Sequence, residues 1–589
     1  MPPDSGKISA EYIHNRQMKE KSAATVCFLT LASLMLTTVM TTTGSPWTEA
    51  LLCLQTTTAT GTVVAAAMLI ATGTKLHITA ADIIMAAWWT YAALRTYADR
   101  GSYTAGKEFV AYTTLATVYA LVRIIPKPSS RMLSAASMTT LLLLATTAYE
   151  LSLGAWQIYS GTSHHSLFPA TGSMFNPGPY SAYVATGMAA AVSILHDARD
   201  DDWHRPKCAA MLWLCTAVVM GGCFIIAVTQ SRSAMIAVAA ATAWIFRRDM
   251  KKKYAIPAAA AAVVAATGLF FLKMGSAMGR IVIWRQAVDI IADSPLFGSG
   301  IGSFAKEYGQ QLALFFADSH NADSFAQYAD VADYAFCDIL QVFAEQGFTG
   351  GILCIAFIAV SLRSLSRTSR HLAVAMATLS AFSLFSYPMQ LLPLQTIIVC
   401  LAACGQTGDK GLPACRLTST ATAAACFAAT LCCHTVAKPR ADGLAEYASI
   451  KGMTHSTFID DYYRLLPTCG DNKRFLFDFA RLLQANSRHI DACAMLRRGT
   501  QVSGDPMFWV LTGNNLKAMH QYTQAAECYE RAFAILPNRI YPLYRKMTLY
   551  RDCGDHDNAR HTARRLLKVK PKIESAATRK MKKEAETEL

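Results

Sequence analysis

Between residues 24 and 43, and again between 254 and 272, the chain runs without a single Asp, Glu, Lys or Arg. A run of that length crosses the roughly 30 Å hydrocarbon core of a bilayer as a helix, and inside that core only a backbone that satisfies its own hydrogen bonds is stable. Comparable apolar stretches fall near 50–73, 77–95, 106–125, 132–154, 180–196, 208–228, 233–246, 337–360, 372–388, 393–407 and 417–435. That makes about thirteen spans by the length rule. The prediction is an all-α protein: a polytopic membrane helical bundle over residues 1–436, followed by a helical-repeat domain over 437–589.

Charge supports the division. Only 16% of residues are charged and 53% are hydrophobic, against about 25% charged in soluble domains, yet the composition beyond 437 is ordinary. With the basic N-terminus placed inside, alternate connections carry Lys75, Lys127/Arg131, Arg199/Arg205/Lys207, Arg247 to Lys253, Arg363/Arg367/Arg370 and Lys410/Arg416. This is the positive-inside pattern of cytoplasmic loops. It puts the N-terminus in the cytoplasm, and the stretch 160–180, the turn 230–232, the long loop 273–336 and the C-terminal domain on the periplasmic side of a bacterial inner membrane. Residues 24–43 follow Lys7, Arg16, Lys19 and Lys21 and read as a first anchor rather than a cleaved signal.

The net charge of +15 is weighted to the tail, where residues from Ala437 onward hold 26 Lys and Arg against 17 Asp and Glu. Such a surface suits anionic lipid head groups or sugar phosphates, although a solvated helical face explains it as well. Arginine is not interleaved with aromatics, so nucleic acid is not an expected partner. Most of the 17 cysteines lie in apolar spans, where a thiol acts as a small hydrophobe. The tail cysteines have no zinc-ligand spacing, so no metal is expected. Ionisable residues inside spans are few, chiefly Asp82, Glu150 and Glu345, whereas an ion-driven transporter usually carries several.

Trp509, Gly513, Ala525, Tyr529, Ala532 and Pro537 fall at the positions of a tetratricopeptide unit of roughly 34 residues. A shift of one unit takes Ala525 to Ala559 and Pro537 to Pro571. A weaker unit precedes them around Phe475 to Arg498, with Ala480, Leu483 and Ala492.

Three external segments hold the polar chemistry. The first is Thr171-Gly-Ser-Met-Phe-Asn-Pro-Gly-Pro-Tyr180, preceded by Gln157 and the pair His164/His165. The second is Thr229-Gln-Ser-Arg232-Ser. The third takes in Gly279-Arg280, Trp284-Arg285, the glycine string from Pro295 to Gly302, and Tyr334 through Asp338-Ile-Leu-Gln341 to Glu345 and Gly347. No strand precedes the glycine string, which argues against a nucleotide fold. Guanidinium groups at a bilayer surface suit bidentate binding of a lipid diphosphate, or else serve as snorkelling anchors.

Together these segments resemble the bacterial O-antigen ligase and polymerase superfamily in the form found in Bacteroides-type bacteria, and the resemblance extends into the tail through Leu536 to Tyr544 and Lys572 to Ser575. It implies an inverting, metal-independent glycosyltransferase without cofactors, acting on the periplasmic face. Such an enzyme moves a glycan from an undecaprenyl-diphosphate carrier to a hydroxyl of lipid A core or another glycan. A protein-directed O-oligosaccharyltransferase shares the same motifs, and a lipid-linked glycan transporter or flippase is the alternative from another class. At the positions matching the family's arginines, Arg232 and Arg280 would stabilise charge on the departing diphosphate. Many members carry His-Asn ahead of Leu-Gln as the base, but here Phe336 and Cys337 stand there. Asp338 and Glu345 are the carboxylates that remain as catalytic candidates, with His320 more distant. Arg285, His164, His165, Asn176 and Tyr180 are the candidate substrate-binding residues, and the repeats are expected to hold acceptor or an envelope protein partner.

The topology is directly testable. Alkaline phosphatase fused after Leu589 should be active and the same enzyme fused after Arg248 inactive; the reverse pattern would overturn the orientation.

Overall fold

The computed structural model describes residues 5–40, 47–72, 77–99, 102–125, 134–199, 206–249, 274–406 and 419–589. The expected span 254–272 and the basic connections at Lys75, Lys127/Arg131, Arg205, Lys251 to Lys253 and Lys410/Arg416 lie outside the described residues. All regular structure among the described residues is helical. Among the described residues four helices are long and apolar enough to cross a membrane: Thr48–Ile70, Ala209–Thr229, Asp338–Thr368 and Thr420–Ile450. Shorter apolar helices run over Lys21–Thr37, Arg232–Phe246 and Leu392–Cys404.

Other helices on expected spans are rich in threonine, which lowers their hydropathy without exposing polar groups. In the helix Ala135–Ser160, Thr139 donates its hydroxyl to the carbonyl of Ala135 at 2.8 Å and Thr147 donates to that of Leu143 at 2.6 Å. Bonding back to the preceding turn lets a hydroxyl sit where no water can reach it.

The chain clusters into two compact units. The first comprises Met1–Tyr91, Val110–Thr267 and Ile352–Lys438. Its centre is the helix Pro177–Asp197, packed by Ala135–Ser160, Pro206–Thr229, Arg232–Phe246 and Arg370–Ser383. Ala182, Ala185, Ala189, Ala190 and Ala191 are all buried along it, and small residues of this kind let helix backbones approach closely in a bilayer. Near one end of this unit Arg123 donates to both carboxylate oxygens of Asp82 at 2.8 Å and to the carbonyls of His77 and Gln406 at 2.7 and 2.8 Å. One guanidinium therefore ties three separated stretches of chain.

The helix Ala135–Ser160 also moulds the turn at residues 171–173. Glu150 accepts from the amide of Ser173 at 3.0 Å and from its hydroxyl at 2.5 Å. Two turns further on, Gln157 accepts from the amides of Thr171 and Gly172, both at 2.8 Å, and donates to the Gly172 carbonyl at 2.7 Å. Gly172 has φ +57, and a Cβ there would lie 2.2 Å from Glu150 Oε2 and 2.4 Å from the Tyr180 ring.

The second unit comprises Ala92–Phe109, Gly268–Gly351 and Pro439–Leu589. The tail beyond Pro439 therefore clusters with the long loop. The tail helices form hairpins: Lys473–Ala485 with His489–Thr500, Met507–Ala518 with Tyr522–Ile535, and Tyr541–Asp552 with His556–Lys568. Their first helices start 34 residues apart. Ala480, Ala492, Ala525, Tyr529, Ala532 and Ala559 are fully buried at the helix contacts. Between the last two hairpins Glu530 accepts from Lys546 at 2.6 Å and from Arg565 at 2.7 Å. Burial alone would raise its pKa, but Arg565 and Lys546 outweigh that and pull it down to about 2. The ionised Glu530 thus contributes stability above its usual carboxylate range, which is lost as pH falls toward 2.

Gly172→Ala meets both a φ that L residues rarely adopt and two occupied positions. We expect it to destabilise by at least the roughly 1–3 kcal/mol typical of overpacking, read as a lower unfolding temperature in detergent. Gly106→Ala, whose Cβ would meet nothing within 4 Å, should leave that temperature unchanged or slightly raised.

Candidate functional site

Arg232 is the first residue of the helix Arg232–Phe246. Gln230 turns the chain into it at φ 48, and Ser231 caps it, its Oγ accepting from the amide of Ala234 at 3.4 Å. Ser231 Oγ also lies 2.7 Å from Ser181 Oγ, and Ser233 donates to the carbonyl of Phe385 at 3.1 Å. The two serines that flank the arginine are thus both tied to other segments of the first unit. A cation at a helix N-terminus opposes the helix dipole, so helix stability does not account for Arg232. An anion at that point would be favoured twice, by the guanidinium and by the positive end of the helix dipole.

The remaining first-unit candidates serve the turn that precedes the helix Pro177–Asp197. Asn176 caps the helix, accepting from the amide of Gly178 at 2.9 Å. Tyr180 is buried and donates to the carbonyl of Glu150 at 3.0 Å. His164 is exposed, while His165 accepts from the Leu167 amide at 3.1 Å and stands 4.9 Å from the Phe168 ring. The turn-holding roles of Glu150 and Gln157 carried no signal in the sequence beyond their spacing of seven on one helical face.

In the second unit the glycine string wraps around a break in the helix Asp338–Thr368. That helix is interrupted at Gly347, with φ 64 and ψ −168. Ser299 and Gly300 donate their amides to the carbonyls of Ala344 and Glu345 at 2.9 and 3.0 Å, and Phe348 donates to that of Pro295 at 2.8 Å. Gly298, Gly300 and Gly302 have φ of 72, 116 and 72°, the left-handed region that glycine enters without steric cost. Their amides face protein rather than an open phosphate cradle.

Glu345 closes this wrap. It is buried, accepts from the amide of Gly302 at 2.8 Å, and accepts from Gln341 Nε2 at 3.0 Å. Gln341 in turn accepts from the amide of Ala335 at 3.1 Å. Asp338, Gln341 and Glu345 share one helical face by their spacing of three and seven, and Asp338 is also buried, at the start of the helix. An acid in the first turn complements the helix dipole.

Arg280 lies on the helix Met274–Asp293 with its guanidinium 5.6 Å from the centre of the Phe336 ring, a cation–π distance. Phe336 has φ 52. A bulky residue in that region is strained by about 1–3 kcal/mol and persists where its surroundings over-determine it. Arg285, five residues on, points about 140° away around the helix. It is largely exposed and pairs with Asp289 at 3.3 Å. His320, on the short helix Ser319–Phe325, is exposed as well. Arg280, Phe336, Asp338, Gln341 and Glu345 thus belong to one unit, and Arg232, Asn176 and Tyr180 to the other.

Residues 216–355 match the family model described as O-antigen ligase. That stretch of the chain is an O-antigen ligase domain. The matched stretch contains Arg232, Arg280, Asp338 and Glu345, so the ligase domain carries all four catalytic candidates, whereas the turn at 171–173 and the repeats lie outside it. No curated protein matches the chain. The domain supports, in general terms, a glycan-transferring membrane enzyme that acts on a lipid-linked glycan.

Glu345→Gln tests the wrap. Both carboxylate oxygens face donors, so an amide must set a donor against a donor. Leaving one buried group unpaired costs about 1–3 kcal/mol. The unfolding temperature should fall and a protease should begin to cut within 295–302; an unchanged temperature with an intact loop would show that the carboxylate does not hold it.

Proposed function

We propose that the protein transfers a glycan from an undecaprenyl-diphosphate carrier to a hydroxyl, by inversion and without a metal, at the periplasmic face of the inner membrane. The observation that carries this reading is the O-antigen ligase match over 216–355, which spans both arginines of the polar segments. Lipid A core or another glycan is the acceptor in this reading; a protein hydroxyl would make the enzyme an O-oligosaccharyltransferase of the same family. The tetratricopeptide-like tail lies on the same periplasmic side.

The bond from the sugar's anomeric carbon to the diphosphate oxygen breaks, and the electron pair leaves with the lipid diphosphate. The acceptor oxygen forms the new bond from the opposite face and gives up its proton. Arg232, at a helix N-terminus, and Arg280, seated on Phe336, are suited to the growing negative charge. Asp338 takes the acceptor's proton, since it starts its helix directly beside Phe336 and Cys337, where many members of the family carry their base. Arg285 is not needed for the charge, since it pairs with Asp289 on another face of its helix.

Proteoliposomes loaded with undecaprenyl-diphosphate glycan and acceptor test the reading. Wild-type protein should form the glycoside and release undecaprenyl diphosphate. Movement of intact lipid-linked glycan without release would instead identify a flippase. Arg232→Lys and Arg280→Lys keep the charge but lose the fork that grips a diphosphate, and each should lower the rate by roughly 10²–10³-fold. Asp338→Asn should lower it by roughly 10²–10⁴-fold, the contribution of a general base. Near wild-type rates for both lysine variants would remove the diphosphate-clamp mechanism, with Arg285→Lys as the comparison.

A further inference from the structure

The long loop passes from the short helix Ser319–Phe325 to Phe336 along a strap with a three-residue pattern. Ala329, Ala332 and Ala335 are buried, while Asp330 and Asp333 between them are exposed. The strap is fastened to the repeats at several points. Asn538, itself only 3% exposed, donates its amide to the carbonyls of Ala326 and Ala329 at 2.6 and 3.0 Å. Asp330 pairs with Arg539 at 2.9 Å and with Lys572 at 3.1 Å, and Asp333 pairs with Lys473 at 2.5 Å. Beneath the polar contacts Ile535 and Leu536, from the end of the second hairpin, join Phe304, Tyr308, Ala332 and Ala335 in one apolar core.

Magnitudes rank these contacts. Asp330, Asp333 and their partners are about one-third to one-half exposed, and pairs of that kind contribute roughly 0–1 kcal/mol each. The Asn538 amide is different, because it is buried and reaches two strap carbonyls at once, each bond contributing about 0.5–1.5 kcal/mol, although Ala326 also accepts from the Ala329 amide and Ala329 from Lys572. Immediately before Phe336 the Ala335 amide is held by Gln341, and on the other side Cys337 accepts from the Gln341 amide at 3.0 Å as the helix Asp338–Thr368 begins. Anchors on both sides supply the over-determination that a phenylalanine at positive φ requires, and the ring they hold carries Arg280.

We infer that the repeat domain is a positioning device for the transfer reaction: by clasping the strap at Asn538 and Asp330 it fixes Phe336, and through Phe336 the guanidinium of Arg280. The inference rests on the glycan-transfer reading above. It gives the tail a role distinct from recruiting acceptor or a separate envelope protein. Asn538 and Asp330 are positioning residues, with no contact to substrate required.

The test uses the full-length protein with two readouts, steady-state transfer and hydrogen exchange at the amides of residues 331–337. Asn538→Asp replaces a donor by a carboxylate against two carbonyls. It should lower kcat by roughly tenfold or more, as small displacements of a positioned group do, with KM for donor and acceptor within about twofold and faster exchange in the strap. Asp330→Asn should act in the same direction by a smaller factor, and Asp330→Glu should recover most of the loss. Asp552→Asn, which breaks a pair between Lys517 and Asp552 inside the repeats, should change neither readout. A wild-type kcat in Asn538→Asp and Asp330→Asn would overturn the inference, and so would a raised acceptor KM at constant kcat. Should Asn538→Asp fail to accumulate, the Asp330→Asn and Asp330→Glu pair decides. If the wild-type protein itself transfers nothing, the functional reading fails and takes the catalytic role of the clasp with it, while the exchange data still report whether the clasp forms.

Discussion

No water reaches the interior of a bilayer, so a polar group placed there must find its partner within the chain. The first unit is organised by that requirement. Arg123 places four hydrogen bonds on Asp82, His77 and Gln406, and the threonines return their hydroxyls to their own helix. Glu150 and Gln157 go further and spend their capacity on the backbone of a loop. A bundle made of alanine and leucine alone would hold its helices but leave that loop without a template. The few polar side chains are therefore where the membrane domain acquires a definite surface.

The same economy governs the glycine wrap. Three glycines at positive φ give a loop that can fold tightly, and a carboxylate supplies a fixed point for it. Glu345 meets the loop through its side chain and its carbonyl alike and so anchors the wrap twice. The guanidinium of Arg280 lies over the face of Phe336, a contact that orients it without cancelling its charge.

Much of the architecture was legible in the residues. Charge-free runs of span length dictated helices, and the polar segments around Arg232, Arg280 and Leu340-Gln341 sufficed to indicate the family. Other features left no periodic trace. The role of Glu345 depends on a loop 43 residues earlier, and the bonds from Asn538 reach back 209 and 212 residues. Neither hydrophobic spacing nor helix-capping rules report contacts of that kind. Asn538 lay in plain view within Leu536-Pro-Asn-Arg, where it reads as an ordinary turn residue. Phe336 shows the converse: its identity was conspicuous, but its backbone angle was not encoded by its type, because phenylalanine has no preference for positive φ.

The fastening of the strap also bears on how such a tail can change through evolution. Stacked hairpins are quasi-one-dimensional, and chains built from them ordinarily gain or lose whole units, since each contacts only its neighbours. Here the contacts to the strap come from Lys473 at the first hairpin, from Asn538 and Arg539 between the second and third, and from Lys572 just after the third. Inserting or deleting one 34-residue unit between them would preserve every hairpin and still move an anchor by a full repeat. The loop therefore acts as a ruler, and the number of units between its first and last mark is frozen, leaving only the end beyond Lys572 free to grow.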